Sequence, residues 1–156
     1  SHPKIWIIRI QKMRWFQRIV SAVDARTNTA GMKTLQSITS ATDDLTDLYY
    51  LQAILASKLI NFWCVNYLAD DINGSYLSKI PIKACDTVKE SNAHNEITDL
   101  VFQMTVLKKE WMAARLESKK QTIQSRIDFI DGKINKMIYA VYNLSGDEIA
   151  LVEGER

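Results

Sequence analysis

The chain of 156 residues is 47% hydrophobic and 24% charged, which is typical of one ordinary globular domain rather than of a disordered chain. Two cysteines are too few for the disulfide framework of a small secreted protein and fit a reduced, cytoplasmic protein. No stretch reaches the roughly 18 apolar residues of a membrane span, so we expect no membrane partner.

The net charge of +2 is unevenly distributed. Residues 1–33 contain seven basic residues against one acid, Asp24, a net +6, whereas the remainder has thirteen basic and seventeen acidic residues, a net −4. A basic segment on an acidic body is typical of a surface that faces nucleic-acid phosphates, because the contacting face gains from counterion release. A solvated sheet face would show the same pattern, and the charge alone does not separate the two.

Three short strands are predicted near the N-terminus. Segments rich in β-branched and aromatic residues cover Lys4–Ile10, Arg18–Val23 and Lys33–Ser40. Turn residues such as Asn28 and Gly31 separate the second strand from the third. Because a strand begins almost at the first residue, we expect the chain to be a fragment of a longer protein.

A long helix is predicted next. Asp44 or Thr46 can cap it, and leucines recur at three- and four-residue spacing as far as Phe62, so the helix should run to about Leu68. That apolar stripe is interpreted as core packing. Residues 70–75 should form a loop, and Pro81 should keep the following segment out of a helix.

Helical periodicity returns at about Asn95, after a polar, loop-like stretch at residues 84–94. The apolar positions up to Trp111 and those from Ile123 onward are out of register, so the pattern breaks between about Ala113 and Gln121. The break favours a helical hairpin over one long helix with a stutter. We therefore predict an α+β fold: a β-rich N-terminal part packed on a long helix, followed by a C-terminal hairpin or long helix.

Residues that would support catalysis are sparse. The two histidines, His2 and His94, cannot build a zinc site with two distant cysteines. No glycine-rich phosphate loop occurs, and the adjacent acids Asp70 and Asp71 are typical of a turn. We expect no enzyme activity, metal or cofactor in this chain.

Three segments, in this order, resemble one protein family. They are Tyr50–Trp63, Gly74–Ile82 with its Ile80-Pro81-Ile82, and Ile134–Ile149 followed by Val152–Glu155. Together they are similar to the TaqI-like C-terminal specificity domain of adenine-N6 DNA methyltransferases and of fused type IIG restriction-modification enzymes. The departures are Ala56, where the family usually has Asn, and Asn135, where it usually has Asp.

The resemblance implies a non-catalytic module that recognises a short double-stranded DNA sequence in a restriction-modification system. Its partners would be duplex DNA and the methyltransferase domain of the same parent chain, in a bacterial or archaeal cytoplasm. S-adenosylmethionine and the Asn-Pro-Pro-Tyr motif would belong to that upstream domain, which a nuclease can accompany. Residues 1–94 would form the target-recognition domain, and residues 95–156 a helical spacer or docking segment.

Candidate DNA contacts come mainly from the basic N-terminal part. Arginine can bind guanine bidentately and glutamine can bind adenine, while lysine suits phosphates. The predicted contacts are Arg14, Arg18, Arg26, Lys12, Lys33, Gln36 and Lys79, with Gln11 and Gln17 as further adenine readers. The aromatic pair Trp15-Phe16 is interpreted as core in preference to a contact surface.

A second hypothesis is a helical adaptor. The two heptad-patterned segments would pair with a partner protein, and the strands would be incidental. The charge asymmetry favours DNA recognition, because an adaptor has no need of a net +6 in its β segment.

Overall fold

A computed structural model describes residues 2–9, 17–26, 29–40, 44–67, 72–84 and 88–154. A small antiparallel sheet is followed by helices, two of them long, which confirms the predicted α+β class. The strands are β1 (Lys4–Ile8), β2 (Ser21–Asp24) and β3 (Leu35–Thr39), and the helices are α1 (Leu45–Ala56), α2 (Lys58–Tyr67), α3 (Gly74–Leu77), α4 (Val88–Ala113), α5 (Glu117–Val141) and α6 (Gly146–Glu153).

The sheet has the order β2-β1-β3, with β1 antiparallel to both neighbours. Side chains alternate between the two faces of a strand. Ile5 and Ile7 are fully buried on the face that packs on α1, while Trp6 lies on the outer face. All three predicted strands are present with changed bounds: β1 starts at the predicted residue, β2 starts three residues later and ends one residue later than predicted, and β3 is shorter at both ends.

The predicted helix to Leu68 is interrupted at Ser57, where α1 and α2 meet at an angle of 57°. The Ser57 backbone N–H and hydroxyl both donate to the Ile54 carbonyl, and the Ser57 hydroxyl accepts from the Ile60 N–H at 3.2 Å. Serine therefore ends one helix and caps the next, a role its short hydroxyl side chain favours. Neither glycine nor proline marks the break, so the apolar spacing alone could not locate it.

The prediction of a loop at residues 84–94 is wrong for its second half, since α4 begins at Val88. Ser91, Asn92 and Asn95 are exposed, so the first turns of α4 show mostly polar residues. The predicted division between residues 94 and 95 consequently falls inside this helix.

Helices α4 and α5 form the favoured hairpin. Near the connection at residues 114–116, the Lys120 Nζ lies 5.2 Å from the centroid of the Trp111 ring, and at the far end Glu96 pairs with Lys133 at 2.7 Å. These pairs require antiparallel helices. The buried seam comprises Ile97, Leu100, Met104 and Leu107 of α4 and Ile123, Ile127, Ile130 and Ile134 of α5.

A set of polar contacts, here called the helical junction, ties α2, α5 and α6 together. Asn135, only 3% exposed, accepts a hydrogen bond from the Lys58 N–H at 2.8 Å and donates to the Asp131 carbonyl at 2.9 Å. Glu153 pairs with the Lys58 ammonium and accepts from the Tyr139 hydroxyl. Asn135 thus supplies a hydrogen-bond acceptor to the N-terminus of α2 from another helix.

The segment at residues 80–83 is held between α1 and the end of α5. The Tyr142 hydroxyl donates to the Pro81 carbonyl at 2.7 Å, and the Tyr50 hydroxyl donates to the Lys83 carbonyl at 3.2 Å. Lys83 Nζ donates to the Val141 carbonyl at 2.7 Å, where a cation suits a helix C-terminus. The segment that contains Ile80-Pro81-Ile82 therefore connects α1 to the end of α5.

Candidate nucleic-acid interface

Several segments converge at the C-terminal end of β1, here called the sheet end and defined by Ile8, Arg9, Val20, Thr34 and Ile72. The Ile8 N–H donates to the Val20 carbonyl at 3.1 Å, and the Arg9 N–H donates to the Thr34 carbonyl at 2.9 Å. The Ile72 N–H donates to the Arg9 carbonyl at 2.9 Å. The segments that precede β2, β3 and α3 therefore meet at one place.

Three of the predicted DNA contacts lie at or beside the sheet end. Lys33 is exposed and directly precedes Thr34. Gln36 pairs in register with Ile7 and lies beside α3, with its Nε2 3.7 Å from the position a Cβ would take on Gly74. Lys79 follows α3, is exposed, and lies 5.5 Å from the centroid of the Tyr76 ring. Gln36 of β3 and Gly74 of α3, 38 positions apart in the chain, are thus brought together.

An open cleft of 330 Å³ adjoins these residues, between β3, α1 and α3. Its lining is Gln36, Ser37, Ile38, Leu51, Leu55, Gly74, Leu77, Ser78 and Ile82. Most of this wall is apolar, while the Gln36 amide and two serine hydroxyls supply polar atoms. A cleft of this kind can take a flat or methyl-bearing group and donate hydrogen bonds to its edge.

Arg26 lies near the opposite end of the sheet, two residues beyond Asp24, which is opposite Lys4. Its Nε donates to the Asp24 carboxylate at 2.8 Å, although the arginine side chain is 76% exposed. The Arg26 hydrogen bond, followed by one from Thr29, holds the pKa of Asp24 well below its usual range. Arg26 is accessible, but part of its charge is neutralised locally and it is not a member of the Lys33–Gln36–Lys79 group.

Arg18 is buried, with 1% of its surface exposed. Its backbone N–H donates to Asn61 Oδ1 at 2.7 Å. Burial raises the pKa of the Cys64 thiol to about 11, and the charge of the nearby Arg18 opposes that increase. In this structure Arg18 is part of the packing between the start of β2 and α2 and cannot reach a base. Sequence reasoning missed this, because a lone arginine before a strand carries no sign of burial.

Lys12 and Arg14, together with Gln11 and the pair Trp15-Phe16, lie outside the described residues, and the predictions for them stay predictions. Gln17 is described, and its amide donates to the carbonyls of Ala56 at 3.1 Å and Ile19 at 3.3 Å. Its amide therefore braces the region between β2 and α1 instead of facing outward to read a base.

The outer face of the sheet holds a cluster that the sequence did not reveal. Trp6 Nε1 donates to Asp24 Oδ2 at 3.3 Å, and Lys4 Nζ donates to the Thr29 carbonyl at 3.1 Å. A Cβ on Gly31 would lie 2.4 Å from the Trp6 ring, so any other residue there would displace that ring. The segment that contains Thr29 and Gly31 thus crosses the outer face of the sheet against Trp6. This contact positions the residues that lead to Lys33.

No metal-ligand cluster of three or more His, Cys, Asp or Glu residues occurs in the described part of the chain. His94 lies beside the Tyr50 ring, at 4.4 Å between centroids, and 3.5 Å from Asp47. It contributes to the contact between α1 and α4.

No known family description, curated protein or solved structure matches this chain significantly. The likeness to TaqI-like specificity domains accordingly rests on the three segments quoted above. Among the described residues, no single helix is long and apolar enough to cross a membrane, and only the bent pair α1–α2 reaches that length and composition.

Proposed function

We propose that this chain is the DNA target-recognition module of an adenine-N6 DNA methyltransferase from a restriction-modification system. The observation that carries the proposal is the Gln36 amide in the cleft at the sheet end, with the exposed Lys33 three residues before it and the exposed Lys79 next to the lining residue Ser78. An amide in a cleft with exposed cations near it in the chain matches the two tasks of a DNA reader, since phosphate contacts set the register and base contacts specify the sequence.

In this proposal Lys33 and Lys79 bind phosphates on either side of the groove that Gln36 reads. The Gln36 amide can bind the N6 and N7 atoms of adenine bidentately in the major groove. The apolar cleft wall beside it suits the methyl group of thymine. Arg26 would give a separate contact at the far end of the sheet, and Arg18 would stabilise the fold.

Methylation itself would be carried out by an upstream domain of the same parent chain, which would bind S-adenosylmethionine. The present sequence contains only two prolines, Pro3 and Pro81, and therefore no Asn-Pro-Pro-Tyr motif. The task of this module would be to hold the target sequence against that domain.

The test is to express the full-length gene in a host without adenine methylation and to map methylated adenines at single-base resolution. A Gln36→Ala variant should lose about 1–3 kcal/mol of discrimination and relax the target at one position. A Lys33→Gln/Lys79→Gln variant should lower methylation at all sites about equally, because phosphate contacts carry no sequence information.

A matched control is Lys133→Gln/Lys136→Gln, which removes two exposed cations from α5, away from the sheet end. It should leave both the target and the extent of methylation unchanged. An unaltered methylation pattern in the Gln36 and Lys33/Lys79 variants would contradict the site. A full-length gene without an Asn-Pro-Pro-Tyr motif upstream would contradict the function.

The adaptor hypothesis is favoured by one observation, the exposure of Phe102 at 56% and of Phe129 at 74% on the hairpin. An adaptor would use these rings to bind a partner protein. A stable complex that is lost in a Phe129→Ser variant, from a gene that methylates no DNA, would support this second function over the first.

A further inference from the structure

The end of the hairpin is strongly basic in an otherwise acidic helical body. Residues 108–126, here called the hairpin tip, contain six basic and two acidic residues, a net +4. The rest of the chain after residue 33 contains seven basic and fifteen acidic residues, a net −8. The tip is therefore a second concentration of positive charge, separate in sequence from the basic N-terminal segment.

The tip extends beyond the contacts that hold the hairpin to the rest of the molecule. Those contacts include Thr98 and Phe102 with α1, and Asn135 with α2. Trp111 is nine residues beyond Phe102, which places it about 13 Å further along the helix at 1.5 Å per residue. Charges at this distance from the acidic body are accessible to a large partner.

Most basic side chains of the tip are exposed, and none of them forms an ion pair within 4 Å in the part of the chain that the structure describes. Lys108, Lys109, Arg115, Lys119 and Arg126 are exposed, and Lys120 packs over the Trp111 ring. Glu110 and Glu117 lie within the tip and Lys108 interacts electrostatically with Asp131, but an excess of positive charge remains. Because like charges in excess repel one another, this arrangement favours a polyanionic partner.

We infer that the hairpin tip binds the phosphodiester backbone of duplex DNA as a second contact, independent of sequence. The inference rests on the proposed function, under which DNA already lies on the same molecule. Phosphate neutralisation at the tip releases counterions and adds affinity without adding specificity. The exposed Met112 and Leu116 beside Arg115 would pack against sugar atoms at that contact.

An anionic membrane would also attract these cations, but the distribution of apolar residues on α4 and α5 differs from that of a helix that lies in a membrane surface. Interfacial helices lie flat and insert an apolar face along their length. In α4 and α5 the main apolar stripes are buried against each other. The exposed apolar side chains away from the connection, Phe102, Val106 and Phe129, do not form a continuous stripe along either helix. A duplex, which presents a dense row of phosphates, suits an end-on basic tip.

The experiment measures binding of the complete chain to a fluorescent 30-base-pair duplex over a range of salt concentrations. An Arg115→Gln/Lys119→Gln variant is compared with the control Lys133→Gln/Lys136→Gln, which removes the same charge from the base of the hairpin. The tip variant should bind at least about ten-fold more weakly at about 50 mM salt, and its slope of log affinity against log salt should be shallower by about 2. The control should keep the slope and affinity of the unmodified chain.

Urea unfolding of both variants checks that the fold is retained. Equal slopes in the tip variant and the control would overturn the inference, while the methylation map would still test the proposed function separately. The salt dependence of binding could depend on the tip residues while the Gln36→Ala variant keeps the original methylation pattern. That result would support the tip contact and contradict Gln36 as the base-reading residue. Failure of the unmodified chain to bind any duplex at low salt, or binding only to phosphatidylglycerol vesicles, would also overturn the inference.

Discussion

The helical junction and the sheet end both contain lysine and amide side chains, but in opposite environments. At the junction Asn135 is 3% exposed and hydrogen-bonded both to Lys58 of α2 and to Asp131 of its own helix, and Lys58 is paired with Glu153. At the sheet end Lys33 and Lys79 are exposed. A buried amide that is fully bonded stabilises the fold, whereas exposed cations remain available to a ligand. The residue type alone therefore does not assign a function, and the bonding state does.

Arg18 belongs to the sheet region and yet is buried. A DNA contact by Arg18 would therefore contradict the rule that buried polar groups stabilise the fold and exposed ones bind a ligand. We expect Arg18→Ala to lower the free energy of unfolding by about 2–5 kcal/mol, since it removes a large, fully packed side chain. Urea denaturation followed by circular dichroism measures this. The control Arg26→Ala removes an exposed arginine and should change stability by no more than about 0.5 kcal/mol.

Should Arg18→Ala keep the stability of the unmodified chain while changing the methylated target, the burial of Arg18 would be contradicted. The original prediction of a base contact at that position would then be restored.

Asn135→Ala tests the junction directly. It leaves the Lys58 N–H at the start of α2 without its side-chain acceptor and should cost about 1–3 kcal/mol of unfolding free energy. Asn135→Asp, the residue usual in the resembling family, keeps an acceptor for that N–H but replaces the amide that donates to Asp131 with a second carboxylate, so at pH 7 it should cost at least as much. Denaturant midpoints of the two variants measure the losses, and an unchanged midpoint in Asn135→Ala would show that the acceptor is unimportant.

Glu153→Gln should give the smallest effect and a pH dependence. Burial alone would raise the pKa of Glu153, but the hydrogen bonds from Lys58 and Tyr139 and the Lys58 charge together lower it below 4.5. A lowered carboxyl pKa stabilises the fold above the unfolded value, and that contribution disappears as the pH falls through the folded pKa. Because Lys58 is 43% exposed, the loss at pH 7 should stay under about 1 kcal/mol.

Thermal unfolding at about pH 7 and about pH 3 checks this expectation. The stability difference between Glu153→Gln and the unmodified chain should be present at the higher pH and smaller at the lower one, because the lowered carboxyl pKa loses its contribution as the pH falls. A difference of the same size at both pH values would assign the effect to packing instead of charge.

The regular elements were largely predictable, and their interruptions were not. Apolar spacing indicated the helix that begins near Thr46 and the register break that separates α4 from α5. The break at Ser57 and the start of α4 at Val88 were missed, because neither involves a change in apolar periodicity. Both depend on hydrogen bonds and side-chain exposure, which spacing does not describe.

The candidate site was predictable only in part. Lys33, Gln36 and Lys79 were chosen for their chemistry, and the structure places Gln36 in a cleft while leaving Lys33 and Lys79 exposed. The chemistry of Arg18 was equally suitable, but its burial removes it from that surface. The close fit of Gly31 against Trp6 was not expected, since a contact between distant residues leaves no local pattern.

The sequence by itself determined the α+β class, the register break between the two long helical segments and the concentration of positive charge in residues 1–33. Those properties depend on local spacing and composition, which each segment carries independently of the rest. Tertiary structure alone decided which polar groups are buried, which charges share a surface and that Asn135 caps a helix from another part of the chain. Burial and long-range pairing depend on how all segments pack together, and no single segment encodes them.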